Sequence, residues 1–467
     1  MMDIKYWIIF LPAISFMQAF SQPQIIAKNV RVMQLTHDPN GHTIHNTKCF
    51  SPDDQWIVYD GRNYDSLISS TGNISMVNME TGEIRELYHT THQTQYGPGV
   101  GAATFSPAAN RVIFIHGIRN SDKKNPYDFT RRTGVAIDVA KPLHPIFMDA
   151  RDITPPFTPG ALRGGTHAHN WSADGKWISF TYNDYILQQL QKKDSSVKDL
   201  RTVGIMVPGH PVHVAEDPLL ENNNGKMFAV VVAEVTENPK PGSDEIDRAF
   251  DEGWIGSKGY QKKDGKWQHR AIAFQGEVVN NDGSKKSEVF VADLPEDVTK
   301  AKPDKPLEGG IASRPNVPAG VHQRRITYTY NGIQGPRHWL RSTPDGSLIA
   351  FLGKDDKGIV QLFGVSPNGG DIKQFSFNNS SIQGPFNSSP DGKYFAYLAD
   401  NSVFVTELST GKSQRLTPPI SNQEKLTGSV VWSNDGFMLA FNKYVKDKTT
   451  GKLFLQIFVI KLNSLKR

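Results

Sequence analysis

Histidine, tyrosine and arginine recur at matching points of this sequence, and these side chains can move protons and bind carboxylates. His116 and Tyr182 each stand ten residues after the Ser/Thr that opens a repeated phrase, and Arg201 follows in the segment DLRTVGIM. A histidine or tyrosine can serve as general acid or base, while a guanidinium pairs with a carboxylate through two hydrogen bonds. We therefore interpret His116, Tyr182 and Arg201 as candidate residues of one functional pocket. The alternative is that His116 is a hydrogen-bonded blade residue and Tyr182 an aromatic residue at a strand end.

The stretch THAHNW adds a candidate metal site. Its histidines, His167 and His169, have the two-residue spacing that places both side chains on one face of a β-strand. With His45 or His338 as a further ligand, the pair could hold a divalent metal such as zinc, manganese or calcium, because imidazole suits zinc and manganese. The alternative is that each histidine is a hydrogen-bonded strand residue and that no cofactor is bound.

Further basic side chains are candidates for contacts with an anionic sugar, namely His45, Arg163, Arg337 and His338. Carboxylates are expected to be few in the same pocket, and we interpret Asp60 and Asp184 as turn residues. A glycosidase needs a pair of carboxylates, and the inferred pocket shows no such pair.

A repeated element positions these residues. Each repeat joins two apolar segments through a Pro/Asp/Gly turn, which is typical of a β-hairpin, and six copies begin at Phe50, Phe105, Trp171, Ser342, Ser388 and Trp432. Four strand-like runs between residues 226 and 330 supply one more unit. The sequence therefore predicts an all-β, seven-bladed β-propeller with four antiparallel strands per blade, which the segment near Met33 closes.

Counting from each turn puts His45, His167, Arg337 and His338 at the start of the inner strands. His116 and Tyr182 fall at the ends of second strands, on the same face of the ring, and Arg201 begins a third strand nearby. We expect a polar funnel mouth at this face. The segment PGSDEIDRAFDEGWIG from Pro241 has Ser243 as an N-cap candidate, so it predicts a short helical insertion in blade four.

Composition limits the function classes. The chain has 467 residues, 40 Gly, 29 Pro and one cysteine, Cys49, which excludes an intramolecular disulfide. A formal charge of +5 without a basic run argues against nucleic-acid binding. Residues 1–21 are typical of a signal peptide, which leaves residues 22–467 as one propeller domain. We expect a secreted or periplasmic monomer that is not inserted in a membrane.

The chain resembles two protein families. DITPPFTPGALRGGTHAHNWSADG, SFTYND, DLRTVGI, PGSDEIDRAFDEGWIG and GPRHWLR are similar to an uncharacterised bacterial TolB-like propeller family, which implies the fold but no activity. The second family comprises secreted propeller polysaccharide lyases, namely ulvan lyases and, more distantly, oligogalacturonate lyase. That resemblance implies a His/Tyr acid–base pair with an Arg or a metal neutralising the uronate carboxylate.

The residues match this second family in part. His116, Tyr182 and Arg201 are similar to the ulvan-lyase set by type and order, and THAHNW is similar to the Thr-His-x-His ligand stretch of oligogalacturonate lyase. Where that motif has a glutamine, this chain has Gly164. We expect a polysaccharide lyase acting by β-elimination on ulvan. The alternatives are an oligogalacturonate lyase-like metal enzyme and a non-catalytic propeller that binds carbohydrate or protein.

Overall fold

Radially arranged antiparallel sheets make up the molecule, a computed structural model that describes residues 25–26, 30–419 and 424–462. The sheets are the seven blades of a β-propeller, so the predicted fold class is confirmed. Residues 1–21, interpreted as a signal peptide, lie outside the described residues. No helix in the described part of the chain is long and apolar enough to cross a membrane.

The first four blades carry the longest connections. Blade one consists of Trp56–Asp60, Asn73–Asn78 and Ile84–His89, with single bridges from Thr43 and Phe50 on its inner side. Blade two consists of Val100–Phe105, Arg111–Gly117, Arg132–Asp138 and Ile146–Phe147. Blade three consists of Gly164–Trp171, Ile178–Asp184, Thr202–Val207 and Phe228–Val231. Blade four consists of Ile246–Trp254, Ala271–Val279, Lys285–Asp293 and His322–Arg325.

The remaining blades are more compact. Blade five consists of Arg341–Ser342, Ile349–Lys354, Val360–Val365 and Lys373–Gln374. Blade six consists of Asn387–Ser388, Tyr394–Ala399, Ser402–Glu407 and Ser413–Arg415, with Ile25–Ile26 added in parallel. Blade seven consists of Leu426–Trp432, Met438–Lys446, Leu453–Lys461 and Arg31–Gln34.

Closure of the ring follows the prediction. Met33 pairs with Val459, so the strand Arg31–Gln34 from the start of the chain is the outer strand of the last blade. Joining the two ends of the chain in one sheet removes exposed strand edges and locks the ring.

The repeated turn has a shared hydrogen-bond pattern. In blade three the hydroxyl of Ser172 donates to Asp174 Oδ1 at 2.6 Å and accepts from the Trp177 backbone N–H at 3.0 Å. Ser51, Thr343, Ser389 and Ser433 do the same in their blades. The Ser-x-Asp pattern is therefore recognisable because one hydroxyl fixes both sides of the hairpin.

The short helix lies elsewhere than predicted. Residues Ile246–Trp254 form the inner strand of blade four, paired with Ala271–Val279, and Ser243 donates to the Lys240 carbonyl within a turn. Packing of the ring requires an inner strand here, and this overrides the local helix signal. The run at Phe228–Val231, predicted as a strand of blade four, is the outer strand of blade three. In the described residues an α-helix is formed by Tyr185–Gln191, and it is capped by Asp184.

Short elements of the described residues lie in the long connections, namely the strand pairs Ala150–Arg151 with Ala161–Leu162 and Tyr260–Gln261 with Trp267–Gln268, and the 3-10 helix Asp65–Ser70. The apolar core lies between neighbouring blades. One cluster joins Ile205 of blade three to Phe274 and Phe290 of blade four, and another joins Val58 of blade one to Phe114 of blade two. Polar side chains at the inner strands are thus held on rigid, packed sheets.

Candidate functional site

Five side chains, some of them predicted, lie together at the end of the axis where the inner strands begin. His167 lies on the inner strand of blade three, and its imidazole is close enough to Arg132, Arg201 and Arg337 for all three charges to act on it. Arg248, on the inner strand of blade four, acts in turn on Arg201. We call the group of His167, Arg132, Arg201, Arg248 and Arg337 the arginine funnel.

His167 is held as a neutral imidazole. Burial lowers its pKa well below the ordinary value, and the charges of Arg132, Arg201 and Arg337 lower it further because they oppose a second positive charge. Its Nδ1 is buried without a hydrogen-bond partner. A neutral imidazole with a free nitrogen can accept a proton from a bound molecule at neutral pH.

Arg132 is a funnel residue that the sequence analysis missed. Its Nη1 donates to the Tyr127 hydroxyl at 2.9 Å, while its Nε and Nη2 are buried without a partner. It begins the third strand of blade two next to Gly117, and Arg201 stands at the matching point of blade three next to Asn183. Comparing equivalent strand positions of blades two and three could therefore have identified Arg132 from the sequence.

Arg201 and Arg132 share an aromatic platform. Their guanidinium carbons lie 5.3 Å and 5.1 Å from the centre of the Phe129 ring, which is 56% exposed. A Cβ at Gly165 would lie 2.0 Å from the Phe129 carbonyl oxygen, so glycine lets the Phe129 loop approach the inner strand. Arg201 Nε also donates to Asn183 Oδ1 at 3.0 Å.

The funnel has an excess of positive charge. Burial lowers the pKa of Arg201 to about 10, and the charges of Arg248, Arg132 and Arg337 act in the same direction. Arg337 pairs with Asp251, with Nη2 to Oδ1 at 3.0 Å, and lies over the Trp339 ring. Among the described residues, the other three arginines form no ion pair with a carboxylate. An anionic ligand would supply the missing negative charge.

A β-bulge separates the two histidines predicted to share one strand face. Ala168 has a φ of 57°, and the pairing register shifts between His167 and Asn170. His169 instead donates from Nε2 to the Thr166 hydroxyl at 3.0 Å, and that hydroxyl donates to Asp149 at 2.9 Å. The strand alternation behind the metal-pair hypothesis therefore fails here.

The fit of a divalent metal is poor. Nowhere in residues 25–26, 30–419 and 424–462 do three His, Cys, Asp or Glu side chains converge on one point. The arginine charges around His167 also oppose a cation. Neither His167 with His169 nor a combination with His45 or His338 provides the expected metal centre.

His45 and His338 lie deeper than expected for substrate contacts. His45 is buried, accepts from Asn46 Nδ2 at 3.0 Å and makes an edge contact with the Trp339 ring. Both nitrogens of His338 are used inside blade five, since Nδ1 donates to the Pro336 carbonyl at 2.9 Å and Nε2 accepts from the Leu352 N–H at 3.1 Å. His338 has no free group for a ligand.

His116 and Tyr182 occupy equivalent positions, as predicted, but outside the funnel. They pair with Val100 and Thr166 in their blades. His116 accepts from the Tyr88 hydroxyl at 2.8 Å and donates to the Gly117 carbonyl. Successive residues of a strand point to opposite faces of a blade. His116 and Tyr182 are one residue away from positions that face the funnel, so their side chains lie in the packing between blades.

Tyr182 and Arg163 belong to one buried network. The Tyr182 hydroxyl donates to Asp184 Oδ2 at 3.1 Å, and Arg163 Nε reaches the same oxygen at 2.8 Å. Arg163 also donates to the carbonyls of Gly310 and Ser313. Burial and the Asp184 charge raise the pKa of Tyr182 well above its ordinary value. Arg163 therefore anchors a loop and is not placed to bind substrate.

Carboxylates near the axis are more numerous than expected. Asp60 is fully buried and pairs with Arg62 at 2.6 Å while accepting from the Ala102 N–H, so it is a structural residue and not a simple turn residue. Glu252 accepts from Thr181 at 2.9 Å, and burial raises its pKa to about 7. Each of these acids is engaged with protein partners.

The chain has relatives by sequence and by fold. Residues 99–219 match the model of a protein family of unknown function, DUF3748. The Uncharacterized protein YidR of Escherichia coli (strain K12) is 38% identical over 425 residues, covering 89% of this chain and 96% of that protein. Oligogalacturonate lyase in complex with manganese has a TM-score of 0.54 at 12% identity, over 94% of this chain and 95% of that one. At this identity the likeness shows the fold alone.

Proposed function

We propose that this chain, which belongs to the same family as YidR of Escherichia coli, is a lyase that cleaves uronic-acid-containing oligosaccharides by β-elimination. Oligogalacturonate is the first substrate to test and ulvan the second. The supporting observation is the arginine funnel, in which three arginine charges surround a neutral histidine with an unpartnered nitrogen.

Elimination from a 4-linked uronate begins with its C6 carboxylate. Pairing that carboxylate with a guanidinium makes the C5 proton more acidic, because negative charge can then move from C5 onto the carboxylate oxygens. Arg132 has two buried N–H-bearing nitrogens without a partner, and Arg201 and Arg337 bring further charge. In this proposal the guanidinium groups supply the neutralising charge that a metal would supply in a metal-dependent lyase.

Proton transfer falls to two neighbours of Arg132. His167 removes the C5 proton, the C4–O4 bond breaks, and the electron pair forms the C4=C5 double bond. The Tyr127 hydroxyl, which accepts a hydrogen bond from Arg132 at 2.9 Å, then donates a proton to the leaving O4. Tyr127 regains that proton through water from His167, so both residues return to their starting states.

The test is turnover of purified protein on oligogalacturonate and on ulvan, followed by the ultraviolet absorbance of the unsaturated product. We expect His167→Gln and Tyr127→Phe to lose most of the turnover while their melting temperatures stay close to wild type. Tyr182→Phe is the matched control, since the Tyr182 hydroxyl contacts Asp184 inside the protein. Loss of turnover in the control with retention in His167→Gln would refute the assignment.

A second candidate function is binding without catalysis. The observation in its favour is that His116 and Tyr182, the acid–base pair suggested by the resemblance, are packed between blades. A binding propeller would take up the same oligosaccharides through the arginines and release them uncleaved. Calorimetric binding to wild type, without any unsaturated product after long incubation, would favour this alternative.

A further inference from the structure

A second cavity lies at the opposite end of the axis, where the inner strands meet the Ser-x-Asp turns. Its volume is about 290 Å³. We call it the lower pocket, and its chemically important lining residues are Lys48, Asn170, Trp171, Trp254, Arg341 and Trp432. These residues come from blades one, three, four, five and seven, so the pocket is a property of the closed ring.

Two cationic side chains in the lower pocket lack an acidic partner. The Lys48 ammonium donates to the Trp171 carbonyl, and Arg341 Nε donates to Asn387 Oδ1 at 2.7 Å. Arg341 Nη1 and Nη2 donate to the Leu340 carbonyl and to Asn46 Oδ1, so all of its acceptors are uncharged. Over the described ranges, neither Lys48 nor Arg341 forms an ion pair. Burial lowers the pKa of Lys48 to about 7 and that of Arg341 to about 10. Both charges are thus costly where they stand unless an anion joins them.

The acids that act on these cations from a distance are already engaged. Asp174, the carboxylate whose charge acts on Lys48, pairs with Arg270 at 2.7 Å. Glu252 and Asp251 act on Arg341; Asp251 pairs with Arg337 at 3.0 Å, and Glu252 accepts from Thr181 at 2.9 Å. None of these three carboxylates forms an ion pair with Lys48 or Arg341, so an anion in the pocket would be their first direct acidic partner.

Two residues that line the same space also carry polar atoms without a hydrogen-bond partner. Trp171 Nε1 and Asn170 Oδ1 are buried and make no hydrogen bond. The other two indoles are fixed, since Trp254 Nε1 donates to the Asn170 carbonyl at 3.0 Å and Trp432 Nε1 donates to the Asn387 carbonyl at 3.1 Å. A buried donor without an acceptor costs free energy, so Trp171 Nε1 is prepared for a ligand oxygen.

The backbone conformation of Lys48 is also unusual. Its φ is 49°, in the left-handed region that residues other than glycine rarely adopt. Inner strands of other blades have left-handed residues at their bulges too, among them Ala102, Ala168, Asp251 and Gly428. None of these four residues is basic, whereas Lys48 brings an ammonium group to the pocket.

We propose that the lower pocket binds a small oxyanion, a carboxylate or a phosphate, between the Lys48 ammonium, the Arg341 guanidinium and the Trp171 indole N–H. The flat faces of Trp254 and Trp432 would pack on the apolar part of a larger ligand. This site is separate from the arginine funnel and does not depend on the proposed lyase activity.

Binding can be followed through the pocket's own tryptophans. The full chain is titrated with inorganic phosphate and, separately, with acetate and galacturonate, using tryptophan fluorescence and calorimetry. We expect a saturable response to at least one of the three, and which one responds distinguishes a phosphate from a carboxylate ligand. Lys48→Met should weaken that binding by about tenfold or more, as expected for loss of one charge-assisted hydrogen bond.

Three further variants define the outcome. Trp171→Phe removes the indole N–H and should weaken binding, while Lys354→Met changes an exposed lysine and should not. Arg201→Met should leave phosphate binding and the fluorescence response of the pocket tryptophans intact, since Arg201 belongs to the funnel, where a carboxylate probe binds as well. If Lys48→Met fails to fold by circular dichroism, Lys48→Arg should bind. The proposal is overturned by the absence of any saturable fluorescence response, by an unchanged response in Lys48→Met and Trp171→Phe, or by loss of the response to phosphate in Arg201→Met.

Discussion

Replacing Arg201 by methionine tests the electrostatics of the arginine funnel in two independent ways. The side chain is half-buried, stacks on Phe129 and donates to Asn183. Methionine keeps much of its apolar contact with Phe129 but removes the guanidinium charge. A substrate carboxylate would lose a partner, and His167 would lose one of the charges that lower its pKa.

The expected loss of kcat/KM follows from the strength of the hydrogen bond between the Arg201 guanidinium and the substrate carboxylate. A hydrogen bond from a charged donor contributes about 1.5–3 kcal/mol, and each 1.4 kcal/mol changes an equilibrium by about tenfold. Since Arg132 and Arg337 remain beside the substrate, we expect a loss near the lower limit, about 10- to 30-fold in kcat/KM. Arg201→Lys keeps the positive charge but not the planar guanidinium that can donate two parallel hydrogen bonds, so its loss of kcat/KM should be smaller.

The second effect concerns pH. His167 acts in its neutral form, so activity on the acidic side is lost as pH falls through the pKa of His167. Removing a nearby positive charge raises that pKa, and the acidic limb of the kcat/KM profile should move to higher pH. Arg201→Lys should leave the limb in place. A profile unshifted in Arg201→Met, with kcat/KM within about twofold of wild type, would refute the role of Arg201 in the funnel.

Three further outcomes follow from the same contacts. Incubation with a chelator should leave kcat/KM unchanged, because the histidines do not converge on a metal; a loss that manganese restores would contradict this. Tyr182→Phe should lower the free energy of unfolding by about 1 kcal/mol through its bond to Asp184 while keeping activity, and a loss of turnover without a change in stability would count against the buried placement. Arg163→Met leaves the Asp184 carboxylate buried without its cationic partner, so the free energy of unfolding measured with denaturant should fall by about 3 kcal/mol. A variant as stable as wild type would contradict the buried network.

The architecture could be predicted because one local pattern repeats. The serine hydroxyl of each Ser-x-Asp turn satisfies both flanks of its hairpin, so the pattern survives in blades whose strands differ. The closing strand near Met33 could be predicted in the same way, because a propeller of repeated blades needs an outer strand for its last blade. Blade four lacks this turn, and its inner strand, Ile246–Trp254, carries acidic residues that resemble a helix start. This segment is a strand because it packs across the ring, and the local sequence carries no information about that packing.

The site was partly predictable for a similar reason. Counting positions between blades predicted Arg337 near the funnel mouth, and the strand pattern of DLRTVGIM predicted Arg201 at the start of the third strand of blade three. The structure begins that strand at Thr202, and the charges of both arginines act on His167. His167 and His169 were assigned to one face because the bulge at Ala168 leaves no mark in the sequence that spacing alone can show. His116 differs by one residue from a funnel-facing position, and in a β-strand one residue is the difference between two faces.

The most direct test of the lyase proposal is mass spectrometry of the products formed from oligogalacturonate by wild-type protein and by His167→Gln. Elimination gives a fragment lighter by one water than the hydrolysis product, with a double bond between C4 and C5. We predict this unsaturated fragment with wild type and its near absence with His167→Gln. A saturated fragment, or an unsaturated fragment formed equally fast by the variant, would contradict the account.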